Sequence, residues 1–232
     1  MKLVKHLTVD GKAVGLVREH VCLDLSTPGR GDFTVRSTGP LQGLVEFSIK
    51  DASQDRFTIL FTGFVVQSHT VDAAQQRIFC RELSAVLWGN LPVSIRPATL
   101  EDVLGIYARE TGLEFVTPDA EYTNALVHSF QSVGNGIHGM DALGKVFAVP
   151  DYIWQQRIDG KVFVGSWQDS QWANKPFPIP ETAFQDVQVN GTKAMQAIPG
   201  LRPGVLLNGQ YLTRLEFSEH FMVITCETQL NG

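Results

Sequence analysis

The middle of the sequence, from Arg96 to Trp167, constrains the fold most, because two helix patterns and a hairpin pattern lie there between strand-rich flanks. A helix is predicted over Thr99 to Thr111, where Thr99 is a natural N-cap with Asp102 as its capping-box partner and Gly112 provides the C-terminal stop. One apolar face follows from the i, i+3, i+4, i+7 spacing of Leu100, Val103, Leu104 and Tyr107. The centre of the chain is therefore expected to be a small α+β unit.

A second helix and a hairpin follow in the same region. The helix is predicted over Ile137 to Ala148, ahead of Pro150, with an apolar face made of Ile137, Met140, Leu143, Val146 and Phe147. Strand patterns from Tyr152 to Gly165 then flank Asp159-Gly160, a pair that favours a two-residue type I′ turn with positive φ at both residues. The large side chains expected to anchor the helices against this hairpin are Tyr152, Trp154 and Phe163.

The residues before the central unit, 1 to about 90, are predicted to form a series of strands. Strands are predicted at Leu3–Val9, Lys12–Arg18, Val21–Leu25, Arg56–Gln67 and Gln76–Leu87. Ser26–Asp32 contains proline and two glycines and is predicted to be a loop. Two similar segments, Leu41–Val45 and Phe61–Val65, place a glycine inside a strand, where it marks a bulge or a tight bend. This pattern predicts a curved sheet or a small barrel.

After the central unit, a polar segment from Gln168 to Pro180 is predicted to be a linker anchored by Trp172 and Phe177. Turn dipeptides then divide the remaining sequence at Asn190-Gly191, Pro203-Gly204 and Asn208-Gly209. The last strands are predicted at Val205–Leu207, Tyr211–Phe217 and Phe221–Cys226. They either form a separate barrel or complete the first one.

Composition excludes several classes of protein. The chain has 44% hydrophobic and 19% charged residues, which is typical of a soluble globular protein, and no apolar run approaches the roughly 20 residues of a membrane span. The N-terminus lacks a long apolar region, so we expect no secretion signal. A net charge of −5 argues against sequence-independent nucleic-acid binding. Three widely spaced cysteines, expected to be reduced and buried, are Cys22, Cys80 and Cys226.

One segment matches a nucleotide-binding motif by its letters. Gly134 to Gly139 reads G-x-G-x-x-G before a helix, and Asp159 follows about 20 residues later. The helix leads into an antiparallel hairpin, however, and no further βαβ units follow, so the context of a dinucleotide fold is missing. We interpret the segment as a glycine-rich turn with Asn135 as the helix cap.

No pattern in the sequence indicates catalysis or metal binding. The histidines, including His128 and His138, lack H-x-x-x-H spacing, the cysteines lack C-x-x-C spacing, and no G-x-S-x-G nucleophile motif occurs. Neighbouring carboxylates such as Glu101 with Asp102, or Glu110 with Glu114, are typical of a solvated helix face. We therefore expect no catalytic residue, no cofactor and no metal.

A group of aromatic residues leaves one binding function open. If the side chains of Tyr152, Trp154, Trp167 and Trp172 were exposed together, with Phe163 nearby, they would form a platform for a sugar. Alternation places Tyr152 and Trp154 on one face of a strand, which is equally the pattern of a core face. The alternatives are a carbohydrate-binding module and packing in a core or interface.

Several phrases of the sequence resemble the tail hub proteins of bacteriophages, the baseplate hub and late control protein D group, which is related to type VI secretion spike proteins. The phrases are Arg81–Ser84, Arg96–Leu104, Glu110–Leu113, Val149–Trp154, Asp159–Gly165 and Ile198–Gly204. The resemblance implies a mainly β fold with an α+β insertion, in which two tube-like β-barrel portions flank a small α/β domain. The implied division is 1–95 for the first barrel portion, 96–172 for the insertion and 173–232 for the second barrel portion.

The same resemblance implies a structural function without enzymatic activity. Members of the family trimerise into a hub ring that continues the tail tube, so we expect a homotrimer at the tail tip or baseplate of the virion, assembled in the host cytoplasm. The implied partners are other tail proteins: a distal tail or tube protein, a tape measure protein, and a spike or fibre protein. DNA would pass through the lumen only in transit, and no stable membrane association is expected. A cell-wall hydrolase component is a further, less favoured alternative, and any spike or lytic function would belong to other chains.

Overall fold

The largest part of the structure is one antiparallel sheet, as seen in a computed structural model that describes residues 2–173, 175–187 and 192–230. The strands, in chain order, are β1 Leu3–Val9, β2 Lys12–Ala13, β3 Gly15–Asp24, β4 Thr27–Arg36, β5 Leu44–Asp51, β6 Thr58–Asp72, β7 Gln75–Glu82, β8 Val93–Ile95, β9 Phe115–Val116, β10 Phe130–Ser132, β11 Tyr152–Gln156, β12 Val162–Ser166, β13 Phe184–Val187, β14 Thr192–Gln196, β15 Leu206–Leu207, β16 Gln210–Ser218 and β17 Phe221–Glu227. The α-helices are α1 Leu100–Thr111, α2 Glu121–Asn124 and α3 Gly136–Val146.

Strands from both ends of the chain join in this sheet. Over the described residues it has 12 strands in the order β13-β14-β17-β16-β3-β4-β7-β6-β5-β1-β2, with β15 paired to β16. The junction is the antiparallel pair of β16 and β3, in which Glu216 lies opposite Cys22. The prediction of a mainly β protein with a helical insertion is therefore confirmed, and the strands after the insertion continue the sheet begun before it.

The sheet curls so that strands far apart in its order face each other across a core. The ring centroids of Phe47 on β5 and Phe217 on β16 are 5.7 Å apart, although the strands β3, β4, β7 and β6 lie between them in the sheet. Phe33 on β4 packs against Phe47 with centroids 5.3 Å apart. An ion pair between Lys5 and Glu19 links β1 to β3, which are not hydrogen-bonded neighbours. Burial of aromatic and aliphatic side chains thus drives the curl.

The central region forms a second core beside the sheet. It is built from α1, α3 and the hairpin of β11 and β12, to which β9 adds in parallel. Helix α1 begins with the predicted capping box, in which Asp102 N donates to Thr99 Oγ1 at 3.1 Å and Thr99 N donates to Asp102 Oδ2 at 3.0 Å. It ends at Gly112, whose φ of 74° is the left-handed conformation that glycine adopts without strain. Both predicted long helices are confirmed. None of the helices in the described residues is long and apolar enough to cross a membrane.

Helix α3 packs through its glycines as well as its apolar side chains. A Cβ atom at Gly139 would lie 1.7 Å from the Tyr107 hydroxyl, and one at Gly144 would lie 2.5 Å from the Tyr152 ring. The predicted apolar face is correct for Met140 and Leu143 but wrong for Val146, which is exposed. The close approach of two tyrosines to helical glycines turns α3 so that Val146 faces solvent.

The predicted loop at Ser26–Asp32 is wrong, because most of these residues belong to β4. The strand lies between β3 and β7, where Gly31 is opposite both Val21 and Cys80. A Cβ atom at Gly29 would lie 2.7 Å from Leu23, and one at Gly31 would lie 2.5 Å from the Phe33 ring. The glycines therefore serve close packing within the sheet rather than a turn. The separate strands predicted at Lys12–Arg18 and Val21–Leu25 are likewise wrong, because Gly15–Asp24 is continuous.

The predicted type I′ turn at Asp159-Gly160 is also wrong. Only Gly160, with φ of 82°, has positive φ in the turn, and Arg157 N donates to Lys161 O at 2.7 Å. Gly160 N donates to Arg157 O at 3.1 Å, so three residues connect the strands, and the left-handed glycine follows a tight turn. The C-terminal strands are confirmed at Leu206–Leu207, Gln210–Ser218 and Phe221–Glu227. The predicted turn at Asn190-Gly191 lies outside the described residues.

The packing of α3 predicts opposite outcomes for two helical glycine substitutions. Gly139→Ala should lower the free energy of unfolding by about 1–3 kcal/mol, since its methyl group collides with buried Tyr107. Gly105 lies on the exposed face of α1, and the methyl group added by Gly105→Ala would have no atom within 4 Å. This substitution should raise the free energy of unfolding by about 0.5–1 kcal/mol. Urea denaturation of both variants checks this, and equal effects would refute the packing role of Gly139.

Candidate functional site

The aromatic group that suggested a sugar platform is buried. Tyr152 and Trp172 are 7% exposed, Trp167 is 4% exposed and Trp154 is 1% exposed. An aromatic ring must present a free face to stack on a sugar, and none of these does. The platform interpretation is therefore wrong, because both faces of the hairpin are covered.

One face of the hairpin packs on the helices. Trp154 Nε1 donates to Asp141 Oδ1 at 3.0 Å, and Tyr152 Oη donates to Met140 O at 2.7 Å, so α3 holds both polar ends. Burial raises the pKa of Tyr152 well above its ordinary value, and Asp141 adds to the effect. The expectation that these two residues anchor the helices is correct.

The other face of the hairpin packs away from the helices, on a third apolar cluster. Phe163 is opposite Gln155 rather than Trp154, so its side chain points to this second face. Its ring meets Trp172 edge to face at 6.3 Å, and Trp167 Nε1 donates to Gly204 O at 2.7 Å. The prediction that Phe163 anchors the helices is therefore wrong, and the hairpin instead joins the helical unit to the C-terminal segment. The predicted linker anchor Trp172 is buried, but the Phe177 side chain is 39% exposed.

A buried ion pair lies where the sheet, the hairpin and the C-terminal segment meet. Arg202 Nη2 donates to Glu82 Oε1 at 2.8 Å and to the carbonyl of Gln156 at 3.3 Å, and Nη1 donates to the carbonyl of Leu60. The second carboxylate oxygen of Glu82 accepts from Gly29 N at 2.8 Å. Burial raises the pKa of Glu82, and the charge of Arg202 opposes that shift. A single salt bridge thus connects β4, β6, β7 and β11.

The Gln156 side chain extends this junction. Its Nε2 donates to Thr62 O at 2.8 Å, and its Oε1 accepts from Ser84 N at 2.9 Å, at the start of a 3-10 helix, Leu83–Trp88. No local motif marks Gln156, Glu82 or Arg202 in the sequence. A signal for the pair was present, however, because two of the phrases that carry the family resemblance contain Glu82 and Arg202. These hydrogen bonds hold the sheet, the hairpin and the C-terminal segment together, which is a structural role.

The G-x-G-x-x-G segment from Gly134 to Gly139 forms the start of helix α3 and its cap. Asn135 Oδ1 accepts from His138 N at 3.0 Å, which confirms Asn135 as the cap of α3. Gly136 N donates to Gly89 O at 3.3 Å, and a Cβ atom at Gly136 would lie 3.0 Å from Leu87. The chain's own residues therefore occupy the N-terminus of this helix.

The cysteines are buried and unpaired, as predicted. Burial raises the pKa of Cys22 to about 11 and that of Cys80 to about 12, and it also raises the pKa of Cys226. Thiols with such pKa values are poor nucleophiles at neutral pH. Among the described residues, no three His, Cys, Asp or Glu side chains converge into a group that could hold a metal ion.

The sheet has two open edges that could contact other chains. Strand β1 pairs with β5 along its length, but β2 covers only Thr8 and Val9 on the other side. At the opposite end, β13 pairs with β14 on one side only within the described residues. Unpaired strand edges are templates for pairing with another chain. The candidate functional features are therefore surfaces for assembly.

A phage-encoded protein matches almost the whole chain. The chain is 30% identical over 230 residues to an uncharacterised 58.7 kDa protein in the lys 3' region of Haemophilus phage HP1, and the match covers 98% of this chain and 42% of that protein. The chain therefore spans less than half the length of this relative. No protein-family model matches the chain.

Solved structures share the fold. The 43 kDa tail protein of prophage MuSo2 from Shewanella oneidensis superposes with a TM-score of 0.70 at 10% identity, over 96% of this chain and 95% of that one. An E. coli component of the type VI secretion system, itself structurally similar to the T4 bacteriophage tail proteins gp27 and gp5, superposes with a TM-score of 0.63 at 14% identity. That match covers 95% of this chain and 76% of the other. These likenesses confirm the resemblance that the sequence phrases indicated.

Burial of the hairpin aromatics predicts a large effect for Trp154→Ala. The substitution should lower the free energy of unfolding by about 3–5 kcal/mol, because it empties the core between hairpin and helices. Trp88→Ala is the matched control: Trp88 is 40% exposed, and its loss should cost less than about 1 kcal/mol. Thermal and urea unfolding measure both, and an unchanged midpoint for Trp154→Ala would contradict its place in the core.

The buried ion pair predicts a second strong effect. Glu82→Gln leaves Arg202 buried without a counter-charge and should cost about 3–5 kcal/mol of stability. Asp32→Asn, which breaks the exposed pair of Asp32 with Arg77, should hardly change the midpoint, because solvent screens that pair. Urea unfolding compares the two variants. Similar losses would show that burial does not distinguish these ion pairs.

Proposed function

Since this chain has the fold of phage tail proteins, we propose that it is a structural subunit of a phage tail, in a ring at the tail-tip or baseplate hub. The observation that carries the proposal is the superposition on a prophage tail protein over 96% of this chain. The phage-encoded relative, which matches nearly the whole chain, supports the same assignment. In this role the subunit adapts the tail tube to the central spike or fibres and continues the tail lumen.

The open sheet edges support a ring of identical subunits. A strand edge at each end of a curled sheet allows one copy to pair with the next, and three copies then close a cyclic homotrimer. In this proposal, residues 1–95 and 173–232 form the tube-like barrel portions that make the contacts between subunits. Residues 96–172 form the inserted domain.

The proposed partners are other tail proteins: a tube or distal tail protein, the tape measure protein, and a spike or fibre protein. The likeness to a type VI secretion component that resembles gp27 and gp5 supports assembly with a spike. DNA passes through the lumen without stable binding, in accord with the net charge of −5. No enzymatic step is assigned to this chain. The carbohydrate-binding alternative has lost its basis, because its aromatic residues are buried.

Imaging of assembled tails tests the ring. Electron microscopy of particles with tagged subunits should show three copies at the tail tip in one closed ring. Light scattering of the purified protein should give three times the chain mass of 25.6 kDa, either alone or after addition of the neighbouring tail protein. A stable monomer inside intact tails, or a ring of another order, would refute the proposal.

A proline at a sheet edge predicts a selective loss of assembly. Gln185 lies at a bulge of β13, between the paired residues Phe184 and Asp186. Proline is tolerated in edge strands and at bulges, so Gln185→Pro should leave the thermal midpoint nearly unchanged, while the missing N–H group and the fixed φ in the edge strand should abolish trimer formation. Gln185→Ala keeps the N–H group and should assemble normally. Light scattering compares the two, and normal assembly of the proline variant would exclude this edge from the interface.

A further inference from the structure

An arginine held by two aromatic rings lies on the face of the sheet opposite its core. The guanidinium carbon of Arg81 is 5.0 Å from the ring centroid of Phe79 and 4.5 Å from that of Trp88. Contacts of this kind are favourable and fix the position of the guanidinium. Directly across the strand pair, Arg30 is opposite Arg81. We call Arg30, Phe79, Arg81 and Trp88 the arginine–tryptophan patch.

The two arginines of the patch have no acidic partner among the described residues, and like charges directly opposite in a sheet are destabilising. The carboxylates that share this face on β3, β4 and β16 pair with other arginines. Asp32 accepts two hydrogen bonds from Arg77 Nε and one from Nη2, and Asp24 and Glu216 both pair with Arg214. Over the part of the chain that the structure describes, no carboxylate forms an ion pair with Arg30 or Arg81.

Exposed apolar side chains occur in the 3-10 helix that follows β7 and in a segment hydrogen-bonded to the residues after it. Trp88 is 40% exposed, and Val86 in the same 3-10 helix is 37% exposed. Val133 is 87% exposed and precedes Gly134, whose carbonyl accepts from Leu91 N at 2.7 Å, just beyond Trp88 in the chain. Tryptophan and arginine are the residues most enriched where protein interfaces concentrate their binding energy.

We propose that the arginine–tryptophan patch is a docking site for a segment of a partner tail protein that carries an aspartate or glutamate beside an apolar side chain. The carboxylate binds between Arg30 and Arg81, because the fork of a guanidinium matches carboxylate geometry. The apolar side chain covers Trp88. This inference rests on the proposed tail function, and it adds the chemistry of one contact.

A carboxylate fits the patch better than a nucleic-acid phosphate. Binding to a phosphate backbone relies on many cations spread along a surface, whereas the patch holds two cations in a chain of net charge −5. The exposed ring of Trp88 would also stay in water beside a phosphate backbone, whereas a protein segment buries it.

The test is a fluorescence titration that reports on Trp88. The other tryptophans are at most 7% exposed, so quenching by acrylamide reads mainly the solvent access of Trp88. The probe is an acetylated peptide of four glutamates flanked by leucines. The control peptide has lysine in place of each glutamate. The glutamate peptide should bind saturably and shield Trp88. Arg81→Gln and Arg30→Gln should each weaken its affinity at least tenfold.

The matched control is Arg18→Gln, an exposed arginine of β3 whose strand neighbour Thr34 is also the neighbour of Arg77. This substitution should leave the affinity unchanged. An equal loss in Arg18→Gln, absence of saturable binding, or binding of oligothymidylate in preference to the peptide would each overturn the docking site.

Electron microscopy of rings built from the same variants distinguishes a failure of the docking site from a failure of the proposed function. A normal ring from a wild-type chain that does not bind the peptide overturns only the docking site. Peptide binding by a chain that forms no ring in the tail overturns only the role as a ring subunit.

Discussion

The pair of Arg202 and Glu82 is the interaction on which the arrangement of the chain depends. Removing both charges from water is costly, and only a nearly complete set of hydrogen bonds offsets that cost. Here the set comes from β4, β6 and the hairpin, in the form of Gly29 N, Leu60 O and Gln156 O. The ions are stable only when these segments are in place, so the pair fixes the insertion to the sheet at one geometry. Apolar contacts alone would be less directional.

The hairpin β11–β12 explains why the chain carries so many buried aromatic residues there. A strand pair with solvent on one side needs large apolar side chains on one face only. Here, Trp154 packs into the helical core, while Phe163, one residue out of phase across the strand pair, packs on Trp172. Each face thus serves a different core. The aromatic residues that suggested a binding surface in the sequence are instead buried in two separate cores, one on each face of the hairpin.

The sequence predicted the helix caps well and the long-range strand pairing poorly, for a physical reason. The capping box of Thr99 and Asp102 and the cap Asn135 depend on neighbours three residues away, which periodicity and residue type reveal. The strand at Thr27–Arg36 depends on β3 and β7, which make its glycines necessary, and no local pattern contains that information. The same holds for the candidate surfaces, because Arg30 and Arg81 are 51 positions apart in the sequence and meet only through strand register.

The ion pair of Lys5 and Glu19 shows how a curled sheet can retain an open edge. The sheet brings β1 beside β3, yet a side-chain charge pair rather than a ladder of backbone hydrogen bonds links the two strands. The backbone groups of Leu3 to His6 on that side are therefore left without a strand partner in the described residues. A fully hydrogen-bonded barrel would have no edge to offer. Because the Lys5–Glu19 ion pair, and not backbone pairing, links β1 to β3, the subunit buries its core and still presents a strand edge to a neighbour. The proposed ring requires this property.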